Sequence, residues 1–181
     1  MASNGTGERL SPGKHELIDR EVVVDFEFEG KLITAHQGDT VGSALTAVGI
    51  DLLSRSFKYH RRRGLLCVAG NCPNCLMTVD GVPNVRTCTM PVTGGMTVRR
   101  QNAWPSVDHD FGSILDRMDR LLPVGFYYKV FHKPKILWGI MRPIIRRVAG
   151  LGSVDTSSDG GPAYTHRNLH ADVAVVGGGP A

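Results

Sequence analysis

Residues 67–75 read CVAGNCPNC, and three of the chain's four cysteines stand in those nine positions. Cys67, Cys72 and Cys75 are followed, after twelve intervening residues, by Cys88 in PNVRTCTM. The spacing C-x4-C-x2-C with a more distant fourth cysteine is that of plant-type [2Fe–2S] ferredoxins. A two-iron cluster needs two thiolates on each iron, and its sulfides want N–H donors around them. A short loop that turns sharply and aims its amides inward meets both needs. Gly70 gives the loop that freedom, and Cys88 arrives from a neighbouring strand to complete the set.

Other uses of the thiols stay open at this point. Structural zinc sites show two close pairs, and here only one C-x2-C pair exists. A Rieske centre needs two His ligands, yet His60 lies seven residues before Cys67 and no C-x-H pair occurs. Disulfides suit oxidising compartments. Pro73 directly follows Cys72 and removes one N–H donor toward the sulfides. That loss lowers the expected potential of a cluster. The run Arg61-Arg62-Arg63 would act in the opposite direction if it lay close by. It reads either as a solvated face or as a docking surface for an acidic partner.

The sequence around the loop predicts a β-rich frame. EVVVDFEF (21–28) is a strand with Val24, Phe26 and Phe28 on one face, and Glu29-Gly30-Lys31 turns it into LITAH (32–36). Thr40 is placed to cap a helix over VGSALTAVG, with Val41, Ala44, Leu45 and Val48 as its apolar stripe and Gly49 as its stop. LMTVD (76–80), PNVRTCTM (83–90) and MTVRRQN (96–102) supply further strands. One helix packed across such a sheet is an α+β domain, spanning residues 19–102 after a flexible tail at 1–18.

Composition is ordinary for a globular chain, with 41% hydrophobic and 21% charged residues among 181. The net charge of +4 suits an acidic partner and does not by itself argue for nucleic acid. The first twenty residues hold no apolar core of a secretory signal, and no 18-residue apolar run spans a membrane. A cytoplasmic chain with reduced thiols follows as the expectation, and clustered cysteines then read as ligands.

Composition changes after residue 102. Asp108 or Asp110 can cap a helix carrying Phe111, Ile114, Leu115, Met118, Leu121 and Leu122, closed by Pro123. Residues 103–150 read as a helical connector, and 151–169 as a Gly/Ser/Asp linker. Pro134 and Pro143 interrupt the aromatic and basic stretch, which argues against a long surface helix. ADVAVVGGGPA (171–181) predicts a buried parallel strand entering a glycine turn. Gly177 and Gly179 match the start of G-x-G-x-x-G, the phosphate-binding turn of a Rossmann-type fold. The third glycine would be residue 182, so residues 170–181 read as the start of a truncated dinucleotide-binding domain, in a truncated product or fragment.

FKYHRRRGLLCVAGNCPNC, VRTCTMPVTGGMTVRRQNAWPS and HADVAVVGGGPA together resemble the N-terminal region of the sarcosine oxidase alpha-subunit family. Relatives there include opine oxidase, hydrogen cyanide synthase and proline dehydrogenase alpha subunits. The resemblance covers roughly residues 20–181. Where that family often has proline after the His-Arg pair, Arg62 stands here. The resemblance implies a β-grasp, ferredoxin-like [2Fe–2S] domain ahead of a dinucleotide domain that binds FAD or NAD in a full-length form. It places the cluster on Cys67, Cys72, Cys75 and Cys88. It also implies a flavin-containing beta-type partner subunit, on which amine oxidation takes place, and no catalytic residue on this chain. The alternative is a non-redox module, a zinc-stapled or metal-free β-grasp domain that docks a partner through Arg61, Arg62 and Arg63.

Overall fold

This computed structural model describes residues 9–121, 125, 133, 135–149, 152, 168 and 170–174. The chain opens into the predicted hairpin. β1 (Asp19–Phe28) pairs antiparallel with β2 (Lys31–Gln37). Glu29 and Gly30 both take positive φ, 50° and 80°, at the two-residue turn, matching the right-handed twist of the strands it joins. Helix α1 (Val41–Ala47) follows. Thr40 Oγ1 accepts from the Ser43 amide at 3.1 Å, and Ser43 Oγ accepts from the Thr40 amide at 3.0 Å. This reciprocal cap satisfies two otherwise orphaned N–H groups. The helix ends at Ala47, before Gly49, and Val48 of the expected stripe is exposed.

The remaining strands are β3 (Ser54–Arg55), β4 (Arg62–Arg63), β5 (Leu76–Val79), β6 (Val82–Arg86) and β7 (Thr97–Arg100). Five of them form one sheet in the order β2-β1-β7-β5-β6. β7 runs parallel to β1, with Phe28 opposite Val98, and all other pairs are antiparallel. The two-residue strands β3 and β4 make a separate small hairpin around Phe57-Lys58-Tyr59-His60. The period-two pattern of strands did not foretell them, because two residues are too few to show a period.

The core lies between the sheet and α1. Phe26, Ala35, Val41, Ala44, Leu45, Leu53, Met77 and Val98 are wholly buried. Burying a side chain such as Phe26 contributes roughly 1.5–3 kcal/mol. Cys75 and Cys88 belong to this same cluster.

The segments flanking the domain behave differently from one another. Ahead of β1, Arg9 reaches the fully buried Asp39 carboxylate through two hydrogen bonds, of 3.1 and 2.7 Å. After β7, the residues expected to form one helix break into a 3-10 turn at Phe111–Ser113, a short α2 (Ile114–Arg117) and a second 3-10 turn at Asp119–Leu121. Asp110 does cap the first turn, its Oδ1 accepting from the Gly112 amide at 3.0 Å. Phe111, Ile114 and Met118 nevertheless stay exposed. An apolar stripe stabilises a helix only when something packs on it. Helix α3 (Lys135–Val148) runs through Pro143, which the sequence led us to expect as a break. The carbonyl that loses its bond belongs to Gly139, four residues back, where the backbone bends most easily.

Residues 171–174 are exposed and lie outside any strand. A parallel strand needs a partner across a crossover, and none pairs with it among the described residues. Gly177 and Gly179 lie outside the described residues. No helix among the described residues is long and apolar enough to cross a membrane.

Candidate metal centre

The cysteine loop leaves the β3–β4 hairpin at Gly64 and enters β5 at Leu76. Its two ends are fixed. Gly64 lies so close to Asp51 that a Cβ would meet the Asp51 carbonyl at 2.6 Å. At the other end, Ser54 Oγ donates to the Asn74 carbonyl at 2.6 Å.

Between these anchors the backbone curls. Val68 and Gly70 have φ of 47° and 71°. Gly70 adopts that region freely, whereas a β-branched valine is strained there. The turns aim amides at sulfur. The Asn71 and Cys72 amides donate to Cys67 Sγ at 3.3 and 3.4 Å. The Ala69 amide is the strongest influence on the Cys67 thiol, followed by the Cys72 side chain. Together they pull its pKa from 9.0 down to about 6. Such a thiol is ready to be a thiolate ligand near neutral pH.

Cys88 stands at the opposite extreme. Burial pushes its pKa up, and contact with the Cys75 side chain raises it further, against a lowering contribution from the Gly70 amide. Both residues are held by the frame. Thr87 donates twice to the Cys75 carbonyl, from its hydroxyl at 2.8 Å and its amide at 3.2 Å. The N-terminus of α1 clamps the same segment. The amides of Val41 and Gly42 donate to the carbonyls of Met90 and Thr87 at 2.8 and 2.9 Å. A Cβ on Gly42 would lie 3.2 Å from both the Cys88 Cα and the Thr87 carbonyl. Nothing local in the sequence marked Gly42 or Thr87, because their partners are more than ten residues away or on another element.

Cys67 feels the Cys72 thiol, and Cys88 feels both the Cys75 and the Cys67 thiols, so the four stand as neighbours. All four are free of disulfides. A single tetrahedral zinc needs all its ligands around one point. Among the described residues no three of His, Cys, Asp and Glu stand close enough to share one ion. Four neighbouring thiols with backbone N–H groups aimed at two of them, Cys67 and Cys88, fit a two-iron cluster, which needs two thiolates per iron and donors to its sulfurs.

A second constellation lies beside the loop. His60 Nδ1 and Asp110 Oδ2 are 2.6 Å apart, both buried, with Arg55 Nε 3.6 Å from the same oxygen. Arg55 also donates to the carbonyls of Val107, His60 and Asp108. Gly112 is packed against the His60 ring so closely that no Cβ fits. Arg61 pairs with Asp116 and, at 3.8 Å, with Asp119. Two residues of the KYHRRR run, His60 and Arg61, thus clasp the segment after β7. Arg61, read from the sequence as part of a docking surface, is engaged within the chain.

Residues 21–103 match the family described as "2Fe-2S iron-sulfur cluster binding domain". The alpha subunit of sarcosine oxidase from Rhizobium meliloti (strain 1021) is 41% identical over 172 residues, 92% of this chain and 17% of that protein. Hydrogen cyanide synthase subunit HcnA of Pseudomonas aeruginosa is 36% identical over 73 residues, 40% of this chain and 69% of that subunit. Among solved structures, L-proline dehydrogenase from P. horikoshii aligns at a TM-score of 0.41 and 32% identity, over 49% of this chain and 17% of that one. Residues 21–103 are a domain of the [2Fe–2S] iron–sulfur class. More particularly, over more than nine tenths of its length the chain is similar to sarcosine oxidase alpha subunits, of whose length it spans between about one eighth and one sixth.

Proposed function

We propose that Cys67, Cys72, Cys75 and Cys88 hold the [2Fe–2S] cluster, the first two on one iron and the last two on the other. The observation that carries this reading is the placing of the four cysteines on one loop and the segment tied to its end through Thr87 and Cys75, with loop amides aimed at Cys67 Sγ. When bound, such a cluster takes up and releases one electron at a time. The chain's own part is to hold the thiolates, donate N–H groups to sulfur and keep water from the buried pair.

In this reading the domain relays single electrons from flavin within a multisubunit amine oxidase or dehydrogenase. The similarity to sarcosine oxidase alpha subunits supports it. A flavin-bearing beta-type subunit is the partner, and the amine is oxidised there, so no catalytic residue is assigned to this chain. Residues 103–150 serve as the connector, and 170–181 begin a dinucleotide-binding domain that takes FAD or NAD through Gly177 and Gly179 in a longer form. The reduced thiols fit a cytoplasmic setting.

Anaerobic reconstitution tests the core of the proposal. Two irons and two acid-labile sulfides per chain are expected, with an electron paramagnetic resonance signal of one reduced [2Fe–2S] centre after dithionite. A colourless protein that takes up one zinc instead overturns it.

A further inference from the structure

The two residues of β3 hold different parts of the chain. Successive side chains of a strand point to opposite faces. Ser54, which is buried, sends its hydroxyl to the Asn74 carbonyl inside the cysteine loop, between Cys72 and Cys75. Arg55, also buried, serves the segment after β7. Its guanidinium donates to the carbonyls of Val107 at 2.6 Å and Asp108 at 3.2 Å, and to that of His60 in its own hairpin at 2.8 Å. Asn102 returns the contact, its Nδ2 donating to the Arg55 carbonyl at 2.7 Å.

The far side of this joint is built as closely. Asp110 Oδ2 faces His60 Nδ1 at 2.6 Å and Arg55 Nε at 3.6 Å. Its Oδ1 accepts from the amides of Trp104 at 3.1 Å and Gly112 at 3.0 Å. Asn102, His60 and Asp110 are all buried. Burying an arginine and a carboxylate is costly unless each is met by partners. A tether that only spaced two domains would have no use for such a joint. Residues 104–112 lie beyond the matched iron–sulfur domain, which ends at 103, yet they are bolted to it.

We propose that Arg55 is a positioning residue for the cluster, coupling the seating of residues 102–112 to the cysteine loop through Ser54, its neighbour on β3. None of the hydrogen bonds of Arg55 reaches the loop, so it acts through the hairpin. A planar peptide joins it to Ser54 and leaves little slack between them. Close-packed interiors pass a displacement on rather than absorb it. A displaced segment therefore loosens the loop between Cys72 and Cys75. The proposal rests on the cluster assignment made above.

Hydrogen exchange of the metal-free full chain tests the coupling. Gly112→Ala places a methyl that would overlap the His60 ring, which unseats the segment without a change of charge. Exchange should quicken about threefold or more at residues 104–112 and also at the Asn71, Cys72, Asn74 and Cys75 amides. Ser54→Ala should quicken the loop amides alone, and adding Gly112→Ala to it should change the loop little further. Val24→Ala, in the β1–β2 hairpin, is the control for stability lost elsewhere and should leave the loop amides within about twofold of wild type.

The reconstituted protein gives a second readout. Arg55→Lys keeps the charge but loses the planar fork. Its midpoint potential should differ from that of the wild type, and Gly112→Ala should shift it in the same direction, whereas Val24→Ala leaves it unchanged. Should Arg55→Lys or Gly112→Ala fail to fold, Asp110→Asn is the milder break of the same joint. A loop that exchanges at the wild-type rate while residues 104–112 exchange faster overturns the coupling. So does a wild-type potential in Arg55→Lys, or an equal response to Val24→Ala. Protein that takes up no iron and sulfide defeats the cluster assignment instead, and the exchange measurement still decides the coupling.

Discussion

The two thiol pairs are held by different kinds of structure. Cys75 and Cys88 are built into the frame, nearly inaccessible, packed in the apolar core and tied through Thr87 and the start of α1. Cys67 and Cys72 are only half-buried, on a loop that aims amides at Cys67 Sγ and sets Cys67 against the edge of the core. The frame pair is placed by folding. The loop pair is placed by local backbone curvature, part of it strained at Val68. The difference teaches that one half of the site is a product of the core and the other half is fitted onto its edge.

The largest expected effect comes from removing a thiol from each half. Cys88→Ser and Cys67→Ser should both abolish the stoichiometric iron and sulfide, measured after reconstitution. They should differ in the metal-free protein. Cys88→Ser puts a hydroxyl among buried apolar neighbours and should destabilise the fold by about 1–3 kcal/mol in urea unfolding. Cys67→Ser should change it by no more than about 0.5 kcal/mol. Equal losses of stability would erase the distinction between frame and loop.

Thiol chemistry offers the next contrast. The Cys67 pKa of about 6 makes it mostly thiolate at pH 7, and that of Cys88 is raised by burial and by Cys75. Limited iodoacetamide treatment of the metal-free protein at pH 7 should therefore alkylate Cys67 first and Cys88 last, read by peptide mass spectrometry. The sign follows from the direction of the shift. Labelling of Cys67 should fall only as pH drops through about 6, while that of an ordinary thiol is already falling below pH 9.

A smaller effect probes the clamp between α1 and the frame pair. Gly42→Ala adds a methyl 3.0 Å from Leu65 Cδ2 and 3.2 Å from two backbone atoms. Leu65 can shift, but the backbone of Thr87 and Cys88 cannot shift without moving a ligand. A loss of about 1–2 kcal/mol is expected by thermal or urea unfolding. The same variant should broaden the resonance signal of the reconstituted centre. Unchanged stability would show that helix and strand can part freely.

Legibility in the sequence followed the range of the interactions. The Glu29-Gly30 turn and the Thr40 cap are set within a few residues, and each stands as read. The α+β class was legible from the strand and helix pattern, though the parallel pairing of β1 and β7 joins residues about seventy apart. The clasp of His60 on Asp110 and of Arg61 on Asp116 was not legible at all. A pair of polar side chains fifty or more residues apart leaves no periodic trace. The stripe from Phe111 to Met118 misled for the converse reason. Its spacing is helical, yet without a packed partner the helix stays broken and its apolar residues exposed.

The smallest prediction concerns the strained valine. A left-handed conformation costs an L-residue with a Cβ about 1–2 kcal/mol, and glycine avoids most of that. Glycine in turn gives up about 0.5–1 kcal/mol through the freer unfolded chain. Val68→Gly should therefore leave the metal-free fold unchanged or stabilise it by up to about 1 kcal/mol, measured by urea unfolding. The Cys67 thiol should keep its low pKa, because the amides of Ala69, Asn71 and Cys72 stay aimed at it. Since Val68 is 64% exposed, it contributes little burial to set against that strain. A clear loss of stability would mean that the valine packs on the loop, and that the loop pair depends on side-chain contacts as the frame pair does.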